Sequence, residues 1–188
     1  LIIDGKVMMG LLGCPNLVSP NSGEKGFLAY AVDGQGAFEI SENGDIYPLK
    51  VDRCDKLEDA RLCESVESGH SSHSASFQIA EKLGIKNEPY RIDSQCKYAA
   101  VAFGAASIYL RLPVKKGYQE KIWDHAGGYK IVEEAGRTLS DIHGMKLDFS
   151  QGHTLQNNEG VIATNGQFHQ EVVDTVVEVI RARRATAE

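Results

Sequence analysis

Four cations stand in a stretch that carries no carboxylate, although the chain as a whole is acidic. Between residues 93 and 120 there is no Asp or Glu, and the cations there are Lys97, Arg111, Lys115 and Lys116. Ser94 and Lys97 share one face at the start of a predicted helix, where free backbone N–H groups attract anions. Arg111, on a predicted strand, can present its planar guanidinium to a phosphate. A phosphate site is one interpretation, and a solvated basic surface, which the spacing alone favours, is the other.

Asp124 follows the only tryptophan of the chain, at a predicted helix start. A carboxylate in the first turn interacts favourably with the helix dipole, so a capping role is the more common explanation. The alternative is a hard oxygen ligand for Mg²⁺, which takes one or two carboxylates beside phosphate oxygens and waters. Residue type and position leave both roles open.

A compact polar cluster, GHSSH at 69–73, lies at the mouth of another predicted helix. Its hydroxyls can cap that helix, or His70 can contact a ligand at the sheet edge. Zinc is not expected, because no Cys or third His stands at ligand spacing. The remaining histidines show no spacing typical of a catalytic or metal site. They are expected at the surface or in contact with site residues rather than with a ligand. Glu133 and Glu134 are expected on a solvated helix face.

Strands and turns dominate the first part of the chain. An Asp4-Gly5 turn between apolar runs is a strong hairpin signal. Residues 14–25, rich in Pro, Asn, Ser and Gly, predict a surface loop, and the charged residues 52–59 predict a connector. The predicted strands are 1–3, 6–12, 27–32 and 37–40.

Strands and helices alternate from about residue 62 onward, which is typical of a three-layer α/β domain. Helices are predicted at 74–83, 93–106, 123–136 and 168–183, and strands at 108–113 and 160–164. Gly84 is expected to end the first helix and Asp93 to cap the second. The expected inward faces are Phe77, Ala80 and Leu83 in the first helix, Ile108, Leu110 and Leu112 in the first strand, and Ile131, Val132 and Ala135 in the third helix.

The fold class is therefore α/β, with residues 1–58 as strands of an α+β domain and residues 59–188 as an α/β domain. Hydrophobic residues make up 42% and charged residues 24%, which excludes overall disorder. No apolar run is long enough to span a membrane. The net charge of -6 argues against a nucleic-acid polymer as partner. Four cysteines without a C-x-x-C pattern predict reduced thiols and a cytoplasmic protein.

Several motifs, in order along nearly the whole chain, resemble one known family. WDHAGG at 123–128, EAG at 134–136 and Asp141 are similar to the signature of the inositol monophosphatase superfamily of lithium-sensitive, magnesium-dependent phosphomonoesterases. The likeness is greater to one branch, the 3'(2'),5'-bisphosphate nucleotidases. The motifs that carry it are GCPNL at 13–17, GHSSH at 69–73, DSQCKY at 93–98, IYLRLP at 108–113 and YQEKIWDH at 118–125.

The resemblance implies a layered αβαβα fold and, for the complete enzyme, a Mg²⁺-dependent monomer. The implied substrate is adenosine 3',5'-bisphosphate, with its sulfated form as a second one, and the products are AMP and phosphate from attack by a metal-activated water. By motif, His70, Ser94, Lys97 and Arg111 would hold the nucleotide. Asp124 would bind a metal ion and face the substrate. Three of these residues, Ser94, Lys97 and Arg111, are the ones that the charge pattern and helix spacing had already suggested for a phosphate site.

The other metal carboxylates of the family have no match in this sequence. They come from an E-E pair and a D-P-[IL]-D-G-T motif, whereas the chain contains neither Asp-Pro nor Asp-Gly-Thr. Because the chain opens in a strand, it is interpreted as a C-terminal half with little or no phosphatase activity by itself, and an organellar location stays open. The alternatives are a phosphatase of inositol phosphates and a metal-free protein that only binds nucleotide.

Overall fold

The strands predicted in the first part of the chain form a two-stranded hairpin and a four-stranded antiparallel sheet, whose last strand, Ile46–Pro48, was not predicted. In the computed structural model, which describes residues 1–49, 54–66, 73–113 and 117–186, a short hairpin pairs Ile2 with Val7 across the Asp4-Gly5 turn. The sheet that follows has the order β3-β4-β5-β6. The strands are β1 (Ile2–Ile3), β2 (Lys6–Val7), β3 (Met9–Val18), β4 (Lys25–Val32), β5 (Gly36–Ser41) and β6 (Ile46–Pro48).

The surface loop predicted at 14–25 is wrong in its first part, because β3 continues to Val18. Cys14 and Leu17 are buried, so this segment contributes to the core. The pairing with β4 shifts between Cys14 and Val18, and Pro15 lies within that irregularity. A proline is tolerated at a bulge on an edge strand because no ladder hydrogen bond is needed there. The loop itself is confined to residues 19–24.

The second sheet is mixed and has the order β10-β11-β9-β7-β8. β7 (Leu62–Glu64) runs parallel to both β8 (Tyr90–Arg91) and β9 (Ile108–Arg111). β11 (Val161–Thr164) is antiparallel to β9 and to β10 (Thr138–Ser140). The helices are α1 (His73–Lys82), α2 (Cys96–Ala102), α3 (Ala126–Glu134) and α4 (His169–Ala185).

The elements stack in four layers, sheet, helices, sheet and helices, which places the chain in the α/β class as predicted. α2 and α3 lie between the two sheets and share one core with both, whereas α1 and α4 cover the far face of the second sheet. The alternation predicted for β9 is confirmed: Ile108 and Leu110 face α1 and α4, and Tyr109 faces α2 and α3. Ile131, Val132 and Ala135 of α3 are buried as predicted.

Two predictions about the helices are wrong in detail. Phe77 was expected inward but is 68% exposed, because Ala75 and Ile79 form the buried side of α1 instead. α2 begins at Cys96, and Asp93 does not cap it, since its Oδ1 accepts a hydrogen bond from the backbone N–H of Val66 at 3.0 Å. Asp93 therefore connects the segment before α2 to the end of β7.

The end of the first helix and the cysteines follow the predictions. Gly84 ends α1 with a φ of 68°, a conformation that glycine adopts without strain. All four cysteines are free thiols. Among the described residues, no helix combines the length and the apolar character needed to cross a membrane.

Candidate functional site

A cavity of about 400 Å³ opens where β7 and β9 end, beside the segment that precedes α2. We call it the anion cavity. Residues from four stretches of the chain line it: Ser65, Asp93, Ser94, Gln95, Lys97, Tyr98, Tyr109, Arg111, Asp124 and His125. Since β7 and β9 are parallel neighbours, the residues that follow or end them lie close together at one edge of the sheet.

Four of the five site residues expected from the sequence line this one cavity. They are Ser94, Lys97, Arg111 and Asp124. The fifth, His70, lies outside the described residues, as do Lys115 and Lys116. The structure therefore brings together the two described cations of the carboxylate-free stretch and the carboxylate that follows the tryptophan.

Ser94 lies before α2 rather than inside it, so Ser94 and Lys97 do not share a helix face as predicted. The backbone of Ser94 has a φ of 67°, which is uncommon for a residue with a side chain. Its Oγ accepts a hydrogen bond from the N–H of Cys96 at 3.2 Å. Because α2 has only seven residues, an anion in this cavity would be attracted by the side chains rather than by a helix dipole.

Lys97 is a buried cation with neutral partners. It is 7% exposed, and its Nζ donates to Ser65 Oγ at 3.2 Å and to the Ile92 carbonyl at 3.5 Å. The ammonium also lies 5.6 Å from the centre of the Tyr109 ring. Burial lowers the pKa of Lys97, and within the described part of the chain no carboxylate lies within salt-bridge distance of it. An anion in the cavity would compensate this charge.

Arg111 is held by a carboxylate that sequence reasoning missed. Its Nε donates to Glu120 Oε1 at 3.1 Å, and the Glu120 side chain is only 4% exposed. Burial opposes the charge of Arg111, but attraction to Glu120 outweighs it, so the pKa of Arg111 is raised. Burial likewise opposes the charge of Glu120, yet the contacts with His125 and Arg111 lower its pKa. Both groups are therefore charged.

His125 completes a buried chain of hydrogen bonds behind the cavity wall. Its Nε2 lies 3.0 Å from Glu120 Oε2, and its Nδ1 lies 2.6 Å from the hydroxyl of Tyr98. A carboxylate can only accept, so Nε2 carries a proton and donates it to Glu120, while Nδ1 and the Tyr98 hydroxyl share the second hydrogen bond. The sequence held one signal for Glu120, which is the first carboxylate after the cationic stretch and lies shortly before Asp124.

Asp124 does not cap α3, so the capping interpretation is wrong. It lies in a short 3-10 turn, Ile122–Asp124, and the capping position belongs to His125. The Gln95 side chain donates to the carbonyl of Trp123 at 2.9 Å and ties this turn to the segment before α2. Within the described residues, no donor lies within hydrogen-bond distance of the exposed Asp124 carboxylate. A free carboxylate at a phosphate-sized cavity fits one ligand of a Mg²⁺ ion, the others being phosphate oxygens and waters.

A second acidic group, on α3, is an internal ion cluster and not a metal site. Oxygens of Asp33, Glu133 and Glu134 lie within 4.8 Å of one another. The Lys130 ammonium already occupies the space, 2.8 Å from Asp33 Oδ1 and 3.7 Å from Glu134 Oε1. Glu134 also accepts from the N–H groups of Gly34 and Gly36, both at 2.9 Å. The prediction that Glu133 and Glu134 form a solvated face is therefore wrong.

Sequence similarity to curated relatives extends over nearly the whole chain. The chain is 44% identical over 186 residues to the 3'(2'),5'-bisphosphate nucleotidase of Schizosaccharomyces pombe, covering 95% of this chain and 53% of that protein. It is 41% identical over 199 residues to the protein of the same name from Emericella nidulans, covering 96% and 56%. The chain thus spans about half the length of the curated relatives it matches.

Solved structures with low sequence identity share the fold. An IMPase from Thermotoga maritima aligns with a TM-score of 0.62 at 23% identity, covering 83% of this chain and 53% of that one. SaIMPase-II with bound 2'AMP aligns with a TM-score of 0.59 at 20% identity, covering 84% and 57%. The model of the inositol monophosphatase family matches residues 1–181. The chain therefore belongs to the inositol monophosphatase family.

Proposed function

We propose that this chain supplies the substrate-binding part of a phosphatase that acts on 3'(2'),5'-bisphosphate nucleotides, with adenosine 3',5'-bisphosphate as the preferred substrate. The observation that carries the proposal is the anion cavity, where Lys97 and Arg111 lie together with Asp124. The relatives named as nucleotidases support the nucleotide class, and the 2'AMP bound to SaIMPase-II supports a nucleotide monophosphate in this fold.

The proposal assigns a role to each of the five site residues. The ammonium of Lys97 and the guanidinium of Arg111 bind phosphate oxygens and neutralise their charge. Ser94 and His70 contact the nucleotide, and Asp124 binds a Mg²⁺ ion. When bound, the metal supplies a Lewis acid and an activated water for in-line attack on phosphorus. The cations of the chain stabilise the charge that develops on the phosphate during that attack.

Of the two carboxylates that line the cavity among the described residues, Asp93 accepts a hydrogen bond from the N–H of Val66, which leaves Asp124 as the one available to a metal ion. Several closely spaced Mg²⁺ ions need more carboxylates than Asp124 can offer. We therefore expect the isolated chain to bind the nucleotide with little or no turnover.

The test is a titration of the purified chain with adenosine 3',5'-bisphosphate and with inositol monophosphate, with and without Mg²⁺. The nucleotide should bind more tightly than inositol monophosphate and still more tightly with Mg²⁺, and the Mg²⁺ effect should vanish in Asp124→Asn. Arg111→Ala should weaken binding, whereas Lys82→Ala, which removes an exposed lysine of α1 that pairs with Glu178, should not. Preference for inositol monophosphate would contradict the nucleotide assignment, and binding that ignores Mg²⁺ would favour the metal-free alternative.

A further inference from the structure

Glu120 contacts two groups at the anion cavity without lining the cavity itself. Its Oε1 accepts from Nε of Arg111 at 3.1 Å, and its Oε2 lies 3.0 Å from Nε2 of His125. The backbone is fixed as well, since the carbonyl of Glu120 accepts from the N–H of Leu155 at 2.9 Å, and Leu155 is fully buried. Both carboxylate oxygens are thus held on a rigid support.

Compensation of charge alone does not explain why this carboxylate is buried. The Arg111 side chain is 23% exposed, so water already solvates part of its charge. Removing a carboxylate from water carries a desolvation cost that one ion pair often fails to recover. A buried carboxylate on the Nε edge does, however, hold the flat guanidinium in one plane, which a flexible surface partner would not do.

We propose that Glu120 is a positioning residue, which fixes the guanidinium plane of Arg111 at the cavity wall and, through His125, connects Arg111 to the segment that carries Asp124. The proposal rests on the proposed function, because it assumes that Arg111 binds the phosphate of a nucleotide. The carboxylate of Glu120 therefore holds two side chains in place. One is Arg111, which binds the anion, and the other is His125, which is adjacent in the chain to the metal-binding Asp124.

The orientation of Arg111 can be tested without any ligand. In the ¹⁵N-labelled chain, the Nε–H group of Arg111 should give a sharp signal that exchanges slowly with water, assigned by its loss in Arg111→Lys. Glu120→Ala should broaden or abolish the signal. Glu120→Gln should retain it, because the amide oxygen can still accept from Nε. A signal that is unchanged in Glu120→Ala would overturn the proposal.

Nucleotide affinity tests the consequence for binding. Glu120→Ala should weaken binding of adenosine 3',5'-bisphosphate about tenfold or more, as is typical when the support of a ligand-binding group is removed. Glu120→Gln should recover part of the affinity, and Glu120→Ala should cause a smaller loss in an Arg111→Ala background than in the unmodified chain. The matched control is Glu134→Gln, which changes a half-buried carboxylate of the ion cluster and should leave affinity unchanged. Equal losses from both glutamates would show a general effect on folding and overturn the proposal.

The two measurements separate this proposal from the proposed function. If the unmodified chain binds no nucleotide but the Arg111 signal depends on Glu120, the proposed function fails and the positioning role stands. If the chain binds nucleotide and Glu120→Ala binds equally well, the positioning role fails and the proposed function stands. Should Glu120→Ala not fold, Glu120→Asp provides the comparison, because its shorter side chain must release either Arg111 or His125.

Discussion

Two buried lysines lie in opposite electrostatic surroundings. Lys130, 1% exposed, has Asp33, Glu133 and Glu134 within salt-bridge distance. Lys97, 7% exposed, has only neutral partners among the described residues. Burial opposes both charges; hydrogen bonds to Asp33 and Glu133 nevertheless raise the pKa of Lys130, whereas the pKa of Lys97 is lowered.

The difference between these lysines separates a structural cation from one available to a ligand. In the ion cluster of α3, the fold itself supplies the counter-charges, so removing the cation leaves carboxylates unpaired. At the anion cavity, Asp93 acts on Lys97 without forming a salt bridge, and no carboxylate of the described residues lies within salt-bridge distance of its ammonium, so we expect an incoming anion to supply the missing counter-charge. We therefore expect the same residue type to contribute to stability in one place and to binding in the other.

Removing the structural lysine should have the largest effect. Lys130→Met leaves Asp33, Glu133 and Glu134 close together without their cation, so the free energy of unfolding should fall markedly. Urea unfolding would measure the loss. Nucleotide affinity of the folded fraction should stay the same. A variant as stable as the unmodified chain would contradict the structural role.

A small substitution on α3 should disturb two residues that line the anion cavity, Tyr98 and His125. A Cβ on Gly128 would lie 2.2 Å from the ring of Tyr98, whose hydroxyl holds His125. Gly128→Ala should therefore cost about 2 kcal/mol through overpacking and also weaken nucleotide binding. Thermal unfolding and a binding titration would measure the two effects. Gly34→Ala, which is strained by a φ of 70° although the space around it is open, is the comparison: it should also lower stability but leave binding unchanged.

Removing the ligand-binding lysine should reverse the pattern seen for Lys130. Lys97→Met keeps the volume and removes a buried ammonium that forms no salt bridge with any described carboxylate, so stability should stay the same or rise slightly. Nucleotide affinity should fall at least about tenfold, since a charge-assisted hydrogen bond contributes roughly 1.5–3 kcal/mol. Paired measurements of affinity and urea midpoint would check this. A large loss of stability would show that Lys97 is structural too.

The smallest expected effect is a change in acid sensitivity. Hydrogen bonds from Lys130 and Lys6 lower the pKa of Asp33 from 3.8 to about 2. The unfolded chain therefore takes up this proton first, and the stability that Asp33 contributes above pH 4 is lost as the pH falls towards 2. Asp33→Asn should flatten part of that decline in urea midpoints. Asp148, whose pKa is also lowered to about 2 by hydrogen bonds from Ser150 and Asn157, should account for some of the remainder.

Local sequence patterns predicted the structure correctly where a residue's conformation depends on its neighbours in sequence. The Asp4-Gly5 hairpin, the alternation of β9 and the end of α1 at Gly84 all followed from such patterns. The prediction for Phe77 was wrong because small residues form part of the buried face of α1. The prediction of a loop around Pro15 was wrong because the strand continues through a bulge at this residue. In both cases packing against distant segments outweighed local preference.

Residue types and spacing alone determined the α/β alternation, the carboxylate-free cationic stretch and the tryptophan-aspartate motif. Only the tertiary structure decided which charges meet. Lys130 pairs with Asp33, which lies 97 residues away, whereas Lys97 meets no carboxylate within the described residues, and Glu120 joins Arg111 to His125. The physical reason is that the energy of a charge depends on its burial and on its partners within a few ångströms, and both are set by layers that come from distant parts of the chain.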